Sequence, residues 1–182
     1  MRSGVTITGD NAQAIIDALK SLTRKDVLVG IPAEDSDRDD APFGNAGIGY
    51  INENGSPAQN IPARPHLVPG VRSVQEKTMP QLRAAAQAAL SGNAAAAEMA
   101  LNRAGTLAAD GVRRYMTITG FIPLADSTLA GRARRGRKGA ARELASRAAG
   151  NAPDNANARP LIDTSQYRRA ITSVVREKDA ES

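Results

Sequence analysis

Tyr50-Ile-Asn-Glu-Asn-Gly-Ser-Pro-Ala-Gln-Asn-Ile-Pro-Ala-Arg-Pro-His-Leu-Val-Pro-Gly-Val-Arg72 carries four of the chain's ten prolines: Pro57, Pro62, Pro65 and Pro69. Each fixes φ, removes an amide donor and biases the preceding residue toward extended backbone. The segment therefore reads as a stiff, extended arm, neither a helix interior nor a central strand. Ile61, Leu67 and Val68 give it apolar surface to bury, so it should lie against a surface, its own or a neighbour's.

Upstream of the arm, Val5-Thr6-Ile7-Thr8 alternates as a short strand does and Gly9 ends it. Asp10 with Gln13 has capping-box spacing, and Ala12, Ile15, Ile16, Leu19 and Leu22 fall on one helical face. Val27–Ile31 is a β-rich run closed by Pro32, expected to be covered on both faces. The opening thus predicts β-α-β, with its two strands near neighbours in one sheet. Glu34–Asp40 holds five carboxylates in seven residues. It lacks the Gly and Glu placement of a calcium loop and reads as a solvated excursion over 34–46. Ile48–Ile51 returns to order, and Asn54-Gly55 marks a tight turn.

Downstream, Val71, Val74, Thr78, Leu82, Ala85 and Ala89 recur at helical spacing, with Pro80 kinking that helix or starting a second. Ser91-Gly92-Asn93 is a break with a capping residue. From Ala94 to about Met116 a second long helix carries Leu101, Ala104, Ala108, Val112 and Tyr115 on one stripe. The pair predicts an antiparallel hairpin or one bent rod. Asp126 or Ser127 should cap the next helix. The segment 131–159, basic and then Asn/Ala-rich, reads as a flexible excursion. Thr164–Arg169 predicts a capped short helix and Ile171–Val175 a last strand. The fold class expected is α+β in one domain, 1–182. Its parts are a small mixed or antiparallel sheet from both chain ends, two long Ala-rich helices and the proline-rich arm.

Composition bounds the chemistry. There is no cysteine and one histidine, His66, which leaves no thiol nucleophile and no multi-histidine metal site. Asp163 with Thr164 suits a helix cap better than a catalytic acid, and His66 has no nucleophile block beside it. No enzyme, cofactor or metal is expected. Aromatics make up 3%, so the core must be built from Ala, Leu, Ile and Val. The net charge of +5 permits contact with nucleic acid without demanding it. The N-terminus has no apolar run of signal-peptide length, and no uninterrupted apolar run of about eighteen residues exists anywhere, so no membrane span is expected. These features predict a soluble, cytoplasmic chain.

Three blocks in order carry a resemblance: Ile48–Ser56 with Ile61-Pro-Ala-Arg-Pro-His66, then Pro123-Leu-Ala-Asp-Ser-Thr-Leu129, then Pro160-Leu-Ile-Asp-Thr-Ser-Gln-Tyr-Arg-Arg-Ala-Ile-Thr172. Together they resemble the neck and tail-completion (head–tail joining) proteins of long-tailed bacteriophages. The blocks cover under a third of the chain. Three residues depart from the family pattern: His66 stands where Phe is usual, Ser165 where Gly is usual, and Tyr167 where Leu is usual.

The resemblance implies a virion structural protein, assembled in the host cytoplasm and placed in the neck or tail. It implies a homo-oligomeric ring, commonly six-fold, that joins the head connector or stopper to the tail terminator or tail tube. The alternatives are a tail terminator capping the tube, or a basic protein binding DNA without sequence preference. On the ring reading, Glu53, Ile61, Pro62, Arg64, Pro65, His66, Leu67, Leu161, Ile162, Tyr167 and Arg168 are expected at subunit or partner contacts. Arg64 either reaches a carboxylate, Glu53 being nearest in sequence, or stays exposed without a fixed partner. Arg132, Arg134, Arg135, Arg137, Lys138 and Arg142, with Arg147 beyond them, either face genomic DNA in the lumen or meet acidic neighbours such as the 34–40 loop of the next subunit. The second is favoured, because a channel that must release DNA gains little from tight phosphate binding.

Overall fold

The computed structural model describes residues 12–38 and 44–178. The strand expected at Val5–Thr8, the Asp10 cap and the end of the acidic run lie outside the described residues. The described elements are α1 (Ala12–Thr23), β1 (Lys25–Gly30), α2 (Asn45–Asn54), α3 (Leu67–Arg72), α4 (Gln75–Leu90), α5 (Ala94–Ile118), α6 (Asp126–Arg134), α7 (Lys138–Ala148), α8 (Gln166–Ala170) and β2 (Thr172–Glu177). The fold is α+β. β1 and β2 form an antiparallel pair with Val27 opposite Val175 and Val29 opposite Ser173, so the described sheet joins the two ends of the chain.

The 25-residue α5 is the axis of the fold. Asn93 caps it as expected, its side-chain oxygen accepting from the Ala96 amide at 3.0 Å. The small residues expected along its stripe let other elements approach closely. Ala85 of α4 packs with Ala100 and Leu101, whereas a Cβ built on Gly111 would meet Val74, so α4 runs antiparallel to α5. α3 crosses so tightly that a Cβ on Gly70 would lie 2.6 Å from the Val112 Cα. Val112, Met116, Phe121, Leu161, Tyr167 and Ile171 form the central core, and burying each large side chain contributes about 1.5–3 kcal/mol.

The sheet corrects one expectation. The sequence predicts a β1 covered on both faces, but only the Val27 and Val29 face packs inward, while Leu28 and Val174, opposite each other, are exposed. A two-stranded ladder has one side against α5 and nothing among the described residues to cover the other.

The proline arm is also less extended than expected. Tyr50–Asn54 belongs to α2, Pro57–Gln59 is a turn of 3-10 helix, and Leu67–Arg72 is α3. Extended backbone is confined to about residues 61–66. Pro57 opens its turn and Pro69 lies in the first turn of α3, where the amide has no helical partner to lose. Pro80 lies inside α4.

The region 131–159, expected as a flexible excursion, instead folds into α6, α7 and a pinned return. Leu124, Leu129, Ala140 and Ala158 form a second small core there. Neither Asp126 nor Ser127 caps α6; the cap position is Ala125, with no side-chain cap bond, and Asp126 is drawn away to Arg147 at 2.7 Å.

Candidate functional site

The three blocks, far apart in sequence, meet in space. Glu53, on the last turn of α2, accepts from the backbone amides of His66 (2.7 Å), Leu67 (3.0 Å) and Val68 (3.4 Å). Those amides open α3 and have no intrahelical partner, so a carboxylate from a neighbouring helix satisfies them and their dipole. Glu53 is therefore the remote cap of α3 and not the partner of Arg64.

Arg64 is only 6% exposed, which excludes the free surface arginine. Its backbone amide donates to the Asn52 carbonyl at 2.7 Å. Its Nε donates to the Ile122 carbonyl at 3.0 Å and an Nη to the Pro123 carbonyl at 3.2 Å. The expected carboxylate partner is replaced by two main-chain oxygens, and the first block is thereby clamped to the second.

His66 is 0% exposed and ties the first block to the third. Its Nδ1 donates to the Arg64 carbonyl at 2.8 Å, with Glu53 Oε2 3.1 Å away, and its Nε2 accepts from the Tyr167 hydroxyl. The tautomer follows from the network: Nδ1 faces a carbonyl that can only accept, so Nε2 takes the phenol proton. The rings meet edge to face, with centroids 5.6 Å apart. His66 and Tyr167, two of the three residues at which the chain differs from the proteins its blocks resemble, are thus contact partners.

Burial pushes the His66 imidazole below its ordinary value, against the opposing pull of the Arg64 carbonyl and Glu53. Burial, aided by Glu53, pushes the Tyr167 hydroxyl up. The sign for stability follows. The unfolded chain takes up the proton first, near pH about 6.5, so this contribution is complete above that pH and is lost as pH falls toward the lower folded value. Unfolding free energies from urea titrations between pH about 7 and about 5 should fall with a slope of at most about 1.4 kcal/mol per pH unit. A His66→Phe, Tyr167→Leu variant should lack that slope.

The third departure is conformational. Ser165 precedes α8 at φ +63, a left-handed backbone that glycine adopts without steric cost. Ser165→Gly is expected to raise stability by about 0.5–1 kcal/mol, read as a higher urea midpoint at unchanged slope.

The basic run divides into two sets. Asp163 gathers Arg132 (3.8 Å), Arg135 (3.1 Å) and Arg137 (3.0 Å), so it is an ion-pair hub and not the expected helix cap. Arg132 also donates to the carbonyls of Arg159 and Ile162, each at 2.9 Å. Thr164 supplies what capping there is, its Oγ1 accepting from the Gln166 amide at 3.3 Å. Arg147 turns inward to Glu143 (3.0 Å) and the Leu124 carbonyl (2.8 Å). Arg134, Lys138 and Arg142 remain exposed, with no ion pair among the described residues.

All three blocks line one cleft of about 400 Å³, with Ile48 and Asn52, Ile61 and Arg64, Pro123 and Thr128, and Leu161 and Tyr167 on its walls. Of the residues expected at the interface, Arg64, His66, Leu161 and Tyr167 are buried and serve as ties within their own chain, with Arg64, Leu161 and Tyr167 also lining the cleft. Ile61, Pro62, Leu67, Ile162 and Arg168 are half-buried, Arg168 donating to Thr117 Oγ1 at 3.3 Å, and Pro65 is exposed. Sequence reasoning did not single out Tyr50, 71% exposed one turn before Glu53; Val68, expected to bury against a surface, is exposed within this chain, its amide held by the same carboxylate. Sequence reasoning also missed Glu143, whose signal was available as an i,i+4 acid–base pair with Arg147.

Among the described residues no cluster of His, Asp and Glu could hold a metal ion, and no helix is long and apolar enough to cross a membrane. Comparison of the chain with protein-family models, with curated proteins and with solved structures gave no match.

Proposed function

We propose that this chain is a structural protein of the head–tail junction of a long-tailed bacteriophage, assembling as a homo-oligomeric ring between the head connector and the tail. Its work is geometric, matching two ring surfaces without making or breaking a bond. One observation supports this reading above others: the three blocks that resemble the neck and tail-completion proteins are the segments whose side chains tie the subunit together. Arg64 clamps the first block to the carbonyls of the second, and His66 bonds Tyr167 of the third. Blocks shared for that reason specify a common subunit shape.

On this reading the ring contacts belong to the outer surface. Tyr50 and Val68, both exposed and both adjoining the Glu53 cap, are the residues proposed to meet a neighbour. A ring needs a heterologous contact that closes on rotation, and a patch fixed by a capped helix end loses little freedom on binding. Arg134, Lys138 and Arg142 would give DNA in the lumen only a weak, sequence-independent contact, since Asp163 already engages three other arginines.

A Tyr50→Ser, Val68→Ser variant tests the placement. It should keep the wild-type circular dichroism and melting midpoint and lose ring assembly in negative-stain images. Rings formed as readily as by wild type would put the contact elsewhere.

A further inference from the structure

We propose that the cleft shared by the three blocks is a receptor for a carboxylate side chain presented by a partner polypeptide. The argument rests on donors left over after the internal bonds are counted. Arg64 is more than nine-tenths buried and lines the cleft, yet among the described residues only its Nε and one Nη are bonded. It has no carboxylate partner among the described residues. Arg132, on the same cleft, directs Nη1 at two carbonyls and stands 3.8 Å from Asp163, which leaves Nη2 without a partner among the described residues. The two guanidiniums are close enough that Arg132 adds to the loss of proton affinity that burial imposes on Arg64.

The N-terminus of α6 points to the same charge. Pro123, Ala125 and Thr128 line the cleft, and the α6 cap position carries no side-chain bond, so amides of its first turn remain available. Three arginines on the lining (Arg38, Arg64 and Arg132), an uncapped nine-residue helix and, among the described residues, one carboxylate already engaged by Arg135 and Arg137 give the cleft a positive balance.

The walls select the class of anion. Ile48, Ile61, Pro62 and Leu161 are apolar, and about 400 Å³ exceeds what a bare ion fills, so the occupant carries carbon as well as charge. That apolar wall favours a carboxylate on a carbon stem over inorganic phosphate, which has no apolar part to bury. A Glu or Asp side chain on a partner's surface meets both conditions: stem against the apolar wall, carboxylate between the two guanidiniums. The proposal goes beyond the ring reading and is tested without assembly.

The test titrates N-acetyl-glutamate amide into ¹⁵N-labelled protein, with N-acetyl-glutamine amide and inorganic phosphate run in parallel. The expected result is a saturable shift of the Asp126–Thr128 amides and the Arg64 Nε with the glutamate compound, in the millimolar range. It should be at least about tenfold weaker with the glutamine compound. Thr128→Glu, at an exposed first-turn position where an acid suits the helix, places a carboxylate in the cleft from within. It should weaken binding at least about tenfold, while Thr128→Gln leaves it intact. Tighter binding of phosphate, no saturable shift with the glutamate compound, or binding indifferent to Thr128→Glu would each overturn the proposal.

Discussion

Glu143→Leu should cost about 3–5 kcal/mol, the penalty for stranding a buried charge. Glu143 is 1% exposed and accepts from Arg147 Nε (3.0 Å), the Asp154 amide (3.2 Å) and Asn157 Nδ2 (3.2 Å). The Asp154 amide, more than any other contact, holds its carboxyl below the usual range, with Arg147 and Asn157 adding to it against the cost of burial. A leucine there matches the apolar neighbours in size but leaves Arg147 facing only the exposed Asp126 and the Leu124 carbonyl. The melting midpoint should fall by on the order of 10 °C. Amide exchange should rise first over 126–158, the region this carboxylate pins. Adding Arg147→Met should restore most of the loss, because removing both members of a buried pair is far milder than removing one. A Glu143→Leu protein as stable as wild type would show that the carboxylate is dispensable. Its depressed pKa also fixes the sign in acid: this contribution is present above about pH 4.5 and disappears as pH falls through the lower folded value.

The second large effect lies between His66 and Tyr167. His66→Phe leaves the buried Tyr167 hydroxyl without an acceptor, at about 1–3 kcal/mol. Tyr167→Leu leaves Nε2 unpaired beside a cavity, at about 2–4 kcal/mol. The double substitution removes both polar groups and restores the pattern of the resembling family. It should be less destabilised than the sum of the single changes by about 1–2 kcal/mol. Urea titration of the four proteins measures that coupling directly. Additive losses would mean that the two side chains are independent and that their joint departure from the family pattern has no shared cause.

What could be read in the sequence, and what could not, follows from which interactions leave a periodic trace. α5 and its Asn93 cap were legible because apolar and small residues repeat at helical spacing over 25 residues. A small sheet drawn from both chain ends was legible as two β-branched runs, but the antiparallel pairing of β1 with β2 was not, since no turn joins them in sequence. The 131–159 region was not, because its stability comes from one buried carboxylate and a few small apolar contacts that mean composition hides. Proline density led to an over-extended arm, since Pro57 and Pro69 sit in first turns, where proline costs no hydrogen bond. For Arg64 the sequence left a paired and a free arginine equally open, because the main-chain carbonyls that hold it carry no residue identity. The cleft itself, built from three separated blocks, appears only once the chain is folded.

The ring reading makes its most direct prediction about particles. In the genome that encodes this chain, deletion of its reading frame should yield DNA-filled heads and completed tails lying separate in electron micrographs, rejoined when the protein is supplied in trans. Normally joined particles from the deletion strain, with no copy of the chain detectable in purified wild-type virions, would contradict it.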